Sequence, residues 1–245
     1  MKKLFLIVAT LFVAVSFSSC DKGDEGGEAS TQMRYVKHIV GIETKDKAEF
    51  EYDSQNRITK YSCTEYDDQS KTEHLYVWEF TYEGNLVKAK EVHNTTWNDN
   101  ITFELNSAGY VTHRTATMEG YGPYVTEYTY NNEGGLIKEK YRNGDIGTYR
   151  WIDGNCQPDN YLRITYSPHK TPKCNLDFST NYILDNMIGW TFPEGLFRGN
   201  PSANLPTELF YKDGESDQYS FQFDDKGYIS EVTLYNKKHY HITYY

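Results

Sequence analysis

The sequence predicts an all-β protein: a long antiparallel meander of repeated hairpins, forming a strongly curved or barrel-like sheet, with one irregular proline-rich segment. Three observations predict it. First, a short pattern recurs at Phe50 to Thr59, Phe80 to Lys88, Phe103 to Thr112, Tyr128 to Lys138 and Phe221 to Ser230. In each copy two aromatic or apolar residues stand two apart, then come Asp, Asn or Glu, then Asn or Gly, then an apolar pair. Second, the chain is rich in Tyr (23) and Phe (12), residue types that favour strands. Third, it lacks any long stretch of helical periodicity, and its modest hydrophobic content (38%) suits a sheet with one wet face.

The repeat has a physical reading as a turn. The residue before each returning strand is Asn56, Asn85, Gly109, Gly135 or Gly227. Only Gly and, less readily, Asn enter left-handed backbone cheaply. A type I turn followed by one left-handed residue is a common hairpin connection. Asp53, Asn106, Asn131 and Asp224 open their turns, where a short polar side chain accepts bonds from backbone N–H groups ahead.

Taken in order, Lys2 and Lys3 precede a 12-residue apolar run, Leu4 to Val15, the length of a secretory leader and too short to span a bilayer as a helix. Residues 1–19 are thus expected to be a signal peptide. Residues 20–33 are polar, acidic and glycine-rich, the composition of a flexible tether. A single β-repeat domain is expected over 34–245, with strands at Arg34 to Ile42, Lys47 to Asp53, Arg57 to Glu65, Glu73 to Glu83 and Leu86 to Val92. Tyr76, Trp78, Phe80 and Tyr82 share a face; Leu75 and Val77 opposite them suggest cover on both sides there. Further strands follow at Ile101 to Leu105, Tyr110 to Met118, Tyr124 to Tyr130, Leu136 to Arg142 and Ile146 to Ile152. Asn143-Gly144 reads as a type I′ turn.

The rhythm breaks over 153–205, which holds five of the seven prolines and reads as an irregular insertion. Within it Tyr161 to Tyr166 is a candidate strand, and Asp177 or Ser179 could cap a helical turn or two in Leu176 to Ile188. Long irregular segments in compact domains are often functional or plug-like. Strands resume at Thr207 to Lys212, Gln218 to Asp224, Tyr228 to Tyr235 and Tyr240 to Tyr245. A dozen to fourteen strands exceed what a flat twisted sheet carries comfortably, so the sheet should curl.

Ser16-Phe17-Ser18-Ser19-Cys20 resembles a bacterial lipobox, which implies cleavage before Cys20, lipidation of its thiol and a stable membrane anchor. The Lys and acidic residues after Cys20 are similar to the surface-export signals of Bacteroidetes lipoproteins. The repeats F-x-Y-D-x-x-N-R-I at Phe50 and F-x-F-D-D-K-G-Y-I at Phe221 resemble the YD/Rhs-type hairpin repeat. With Ser202-Ala203-Asn204-Leu205-Pro206, a strand, Asp213-Gly214 and the last repeat, the order is similar to a Bacteroidetes lipoprotein family of unknown function. That resemblance implies a long curved antiparallel sheet, and it transfers no catalytic residue. Arg57 stands where other repeats have Leu or Tyr, which suggests that the first repeat is an end position.

The formal charge of −10 becomes −12 once the leader with Lys2 and Lys3 is removed, which disfavours nucleic acid as a partner. Cys63, Cys156 and Cys174 remain in an oxidising compartment. Cys156 and Cys174 flank the irregular segment and are the candidate disulfide; Cys63 reads as a small buried hydrophobe. His239 and His241 share a face but have no third ligand nearby in sequence, and Asp67-Asp68 and Asp224-Asp225 lack the spacing of a calcium loop. No metal or cofactor is expected. Trp78 and Trp151 sit on predicted strands as core, whereas Trp97 and Trp190 lie in predicted loops and are the candidate ligand-stacking residues. G-x-S-x-G, H-E-x-x-H and phosphate-cradling glycine motifs are absent, and no carboxylate pair stands out. The expectation is therefore a non-enzymatic, lipid-anchored outer-membrane protein, surface-exposed, binding a glycan or protein. A structural or assembly component of the envelope is the alternative, and a hydrolase comes third.

Overall fold

The computed structural model describes residues 32–67, 70–93, 100–117, 120, 122–159, 163–179, 195–211, 213–234 and 238–245. The expected leader, Cys20, Trp97, Trp190 and most of Leu176 to Ile188 therefore lie outside the described residues. The described residues form seventeen strands: β1 Val36–Gly41, β2 Lys47–Tyr52, β3 Ile58–Asp67, β4 Thr72–Glu83, β5 Leu86–His93, β6 Asn100–Leu105, β7 Val111–Thr117, β8 Tyr124–Tyr130 and β9 Leu136–Tyr141. They continue as β10 Ile146–Ile152, β11 Asn155–Pro158, β12 Arg163–Lys170, β13 Asn204–Phe210, β14 Ser216–Gln218, β15 Ser220–Phe223, β16 Ile229–Thr233 and β17 His239–Tyr244. Fourteen make one sheet, in the order β11 back to β1, then β17, β16, β15; β12, β13 and β14 make a second.

The pairing forces the curl. β14 and β15 are one run of chain broken at Tyr219, which pairs with β13 on its first half and β16 on its second. The edge strand of the large sheet thus continues into the small one. At the other edge β11 meets β12 through side chains. The Gln157 amide donates to Ile164 O (2.8 Å) and accepts from Ile164 N (3.1 Å), imitating a peptide unit. Tyr166 Oη donates to Cys156 O. Among the described residues the backbone ladder does not close into a barrel; side chains bridge the gap between β11 and β12.

The expected insertion over 153–205 is largely folded at its ends. β11, β12 and the start of β13 fall inside it; β11 and β12, together with the break of one expected strand into β14 and β15, take the number among the described residues past the dozen to fourteen expected. The candidate strand Tyr161 to Tyr166 anticipated the first half of β12; β11, the second half of β12 and the start of β13 escaped notice because Pro158, Pro168 and Pro206 sit in them. Proline is tolerated where a strand ends or its register shifts, and the β12–β13 register shifts at Tyr166 opposite Pro206.

All the repeat turns lie at one end of the sheet, here the turn end. In four of them the opening carboxylate or amide accepts two backbone N–H groups: Asp53 from Gln55 and Arg57, Asn106 from Ala108 and Tyr110, Asn131 from Glu133 and Gly135, Asp224 from Lys226 and Tyr228, all at 2.8–3.0 Å. Asn56, Gly109 and Gly227 are left-handed, as expected. Two positions differ. In the fourth repeat Gly134, not Gly135, carries φ +82°; Gly135 is small because a Cβ there would lie 2.4 Å from the Trp151 ring. In the second, Glu83 pairs directly with Leu86, so the loop has only two residues and the first, Gly84, carries the positive φ, the pattern of a II′ turn. Asn143-Gly144 is likewise not I′: Gly144 N donates to Tyr141 O and Gly144 alone is left-handed, a type I turn with a left-handed closing residue.

The two faces differ sharply. Inward stand Ile39, Phe50, Tyr61, Trp78, Val87, Phe103, Val111 and Ile242, all buried in one contiguous core. Outward stand Lys and Glu, with opposite charges facing each other across strands at Glu51–Lys60 and Glu127–Lys140. Leu75 is 37% exposed on that face, so β4 is not covered on both sides. The first repeat is not an end: β2 and β3 lie mid-sheet, and Arg57 is explained by its ion pair to Asp53 (2.7 Å) and its place over the Tyr82 ring.

Candidate functional site

Four tyrosines, three in the repeats and one on β17, do a job that sequence periodicity hides. Tyr52, Tyr82, Tyr130 and Tyr244 lie at or next to the last residue of a strand at the turn end and are half-buried. Each hydroxyl donates to the carbonyl of the first residue of the neighbouring strand: Val36, Ile58, Val111 and Ile229, at 2.7–2.9 Å. These phenols satisfy carbonyls where the ladder begins. Burial pushes all four above the ordinary tyrosine value, Tyr82 to about 12.

Residues 171–179 and 195–203 lie across the turn end as a floor. Arg34 N donates to Lys173 O, and Asn175 bonds Val36 N and Tyr52 Oη at one side. Phe197 O accepts from Val111 N mid-way, and Ala203 N reaches Gly154 O at the other side. Phe197 adopts φ +64° and its ring meets Phe103 edge-on at 5.4 Å.

The floor is tied to the inner face by a buried carboxylate. Glu139 on β9 is fully buried. One oxygen accepts from Tyr141 Oη (2.6 Å) and Tyr149 Oη (2.8 Å), and the other pairs with Arg198 of the floor. Pairing alternation explains the convergence: Glu139 faces Tyr128 and Gly147 across its two ladders, and Tyr141 and Tyr149 lie two residues on from Glu139 and Gly147. A Cβ at Gly147 would lie in ordinary contact with Tyr149 Oη at 3.4 Å. Burial first, and the Glu139 charge second, raise the Tyr141 and Tyr149 phenols. With both oxygens engaged, this carboxylate holds the floor to β9.

At the far end the inner face turns polar. Glu65 lies opposite His74, Tyr76 opposite Cys63, and Glu91 opposite Trp78. Burial, and then the neighbouring Asp46, raise the Glu65 carboxyl above its ordinary range. Asp46 itself accepts from Tyr66 N (3.0 Å) and faces Lys238 at 3.9 Å, so it ties strands together. Tyr124 and Tyr141 are each 39% exposed, Tyr124 under the Arg142 guanidinium.

The sites expected from sequence are placed as follows. Cys63, Cys156 and Cys174 are separate thiols, which corrects the disulfide expected between Cys156 and Cys174. The reason is position: Cys156 lies on β11 under Ser202 and Tyr166, while Cys174 sits beside Arg34 near β1, its Sγ donating to Leu176 O. Burial pushes both thiols up to about 12. Trp78 is core at 1% exposure, and half-buried Trp151 donates Nε1 to Leu136 O (2.9 Å). The stacking candidates Trp97 and Trp190 lie outside the described residues. His239 and His241 share the outward face, with His239 3.3 Å from Glu43; no metal-ligand cluster occurs among the described residues. Glu139 and Arg198 were not singled out in the sequence. Their separation of 59 positions leaves no local signal, and Glu139 sits in a Lys-Glu-Lys run that reads as solvated.

Comparison with known proteins supports the architecture. No family model matches the chain, and no curated protein matches it either. Among solved structures, a porin-like protein from Bacteroides uniformis ATCC 8492 superposes with a TM-score of 0.62 at 15% identity, covering 86% of this chain and 100% of its own. A porin-like protein from Bacteroides vulgatus ATCC 8482 gives 0.55 at 16% identity, over 86% and 99%. At such identities the likeness shows a shared fold: a long antiparallel meander curled on itself, all-β throughout the described residues.

Proposed function

We propose that this protein is a cell-envelope lipoprotein, anchored through Cys20 and displayed at the outer membrane, that binds a glycan or protein ligand without catalysing a reaction. The observation that carries the reading is the orientation of the sheet's two faces. A membrane-spanning barrel turns apolar side chains outward and polar ones inward. This sheet does the reverse, with Lys60, Glu79, Lys88, Lys90, Glu127 and Lys140 outward and the aromatic core within. A Lys or Arg facing lipid at the bilayer midplane costs about 2–4 kcal/mol, and several recur on adjacent strands here. Membrane attachment then falls to the N-terminus, where the leader and Cys20 supply it. The far end, with exposed Tyr124 and Tyr141 near a polar inner rim, is the surface suited to stacking on sugars or a peptide.

Two measurements test this. Radiolabelled palmitate should enter the full chain expressed with its leader in a Gram-negative host, and Cys20→Ala should abolish labelling. The lipidated protein should then retain a ligand on a glycan array or in an envelope pull-down, weakened by Tyr124→Ala with Tyr141→Ala. Labelling that persists in Cys20→Ala, or retention indifferent to the tyrosines, refutes the respective half.

A further inference from the structure

We infer that the turn end of the sheet faces the membrane, so that the far end with Glu65, His74 and Tyr124 projects away from it. This rests on the reading of Cys20 as the lipid-bearing residue.

The point where the chain enters the domain is held firmly at the turn end. Gln32 O accepts from Tyr228 Oη (2.7 Å). The Arg34 guanidinium pairs with Asp224 at 3.1 Å and lies over the Tyr228 ring at 4.5 Å. Arg34 N and O bond Lys173 O and Asn175 N, and Val36 N donates to the Asn175 amide. The entry is thus clamped between the Asp224 turn and the floor, and cannot slide toward the far end without losing these bonds. The same turn, Asp224 to Tyr228, is one of the four side-chain-capped reversals, so the clamp is part of the repeat itself.

Chain length does the rest. Cys20 and Gln32 are separated by twelve peptide units. Fully extended, these reach about 42 Å, and an unconstrained chain of that length spans about 19 Å on average. β4, with twelve residues, runs about 40 Å from its far-end start at Thr72 to the turn end. Laying the far end on the bilayer would therefore demand a connection stretched to its limit. Resting the turn end there demands none. The first partner surface the membrane meets is the row of Asp53, Asn106, Asn131 and Asp224 turns. Asp53 and Asp224 are neutralised by Arg57 and Arg34.

The test places a donor dye on the full lipidated chain in phosphatidylcholine vesicles containing an acceptor-labelled lipid. Ser107→Cys reports the turn end and Glu73→Cys the far end; both positions are exposed. The unsubstituted chain, whose described thiols Cys63 and Cys156 are buried and Cys174 half-buried, supplies the labelling background. Energy transfer should be several-fold stronger from Ser107→Cys than from Glu73→Cys. Equal transfer, or stronger transfer from Glu73→Cys, overturns the orientation while leaving the anchor intact. Failure of the chain to float with vesicles, matched by Cys20→Ala, overturns the anchor and the orientation with it.

Discussion

Breaking the Glu139–Arg198 pair should detach the floor and reveal an asymmetry set by burial. Glu139 keeps 1% of its side-chain surface in water and Arg198 20%. Removing one member of a buried pair costs about 3–5 kcal/mol, because the other charge is left without compensation. Glu139→Leu strands the better-solvated arginine and should fall near the low end, about 3 kcal/mol. Arg198→Met strands a carboxylate held only by the Tyr141 and Tyr149 hydroxyls and should approach about 5 kcal/mol. Replacing both removes the stranded charge and leaves two phenols without an acceptor, at a cost of about 2 kcal/mol. At a slope of about 2 kcal/mol per molar urea, the three midpoints fall by about 1.5, 2.5 and 1 M. Urea unfolding followed by tryptophan fluorescence reads all three. A double variant as unstable as the two single losses added together would refute the reasoning, since it would mean that the two residues act independently.

Three further outcomes are expected. Gly109→Ala, where a Cβ meets nothing within 4 Å, isolates the cost of left-handed backbone, about 1–2 kcal/mol; Gly134→Ala should cost more in thermal unfolding, because its Cβ would also lie 2.7 Å from the Tyr110 ring. Stability should fall as pH rises above the ordinary tyrosine value of 10.0: the unfolded phenols ionise there while Tyr52, Tyr82, Tyr130 and Tyr244 keep their protons, so a urea midpoint unchanged from pH 9 to 12 would contradict their burial. Ellman's reagent should react slowly with the folded protein after Cys20 is blocked and with three thiols per chain in urea; a single reactive thiol per unfolded chain would indicate a disulfide after all.

The hairpins were legible because each is a local event. Asp53, Asn106, Asn131 and Asp224 bond backbone two and four residues ahead, and Asn56, Gly109 and Gly227 relieve a steric conflict confined to their own residue. Where local rules compete, sequence reading slipped by one. Gly134 and Gly135 are both glycine, one for its φ and one to make way for Trp151, and only the ring's position separates the two roles. β11 and the second half of β12 were missed because proline argues against a ladder unless a gap in it is known to be there.

By itself, the sequence determined which segments are strands over most of the chain, where they reverse and which side chains share a face, because turn chemistry and two-residue alternation act over neighbours. Tertiary structure alone decided that the two ends of the meander meet through Gln157 and Ile164, that residues 171–179 and 195–203 floor the turn end, and that Glu139 and Arg198 find each other beneath it. Those contacts join residues far apart in the chain, and their strength comes from burial, which exists only once the sheet has curled.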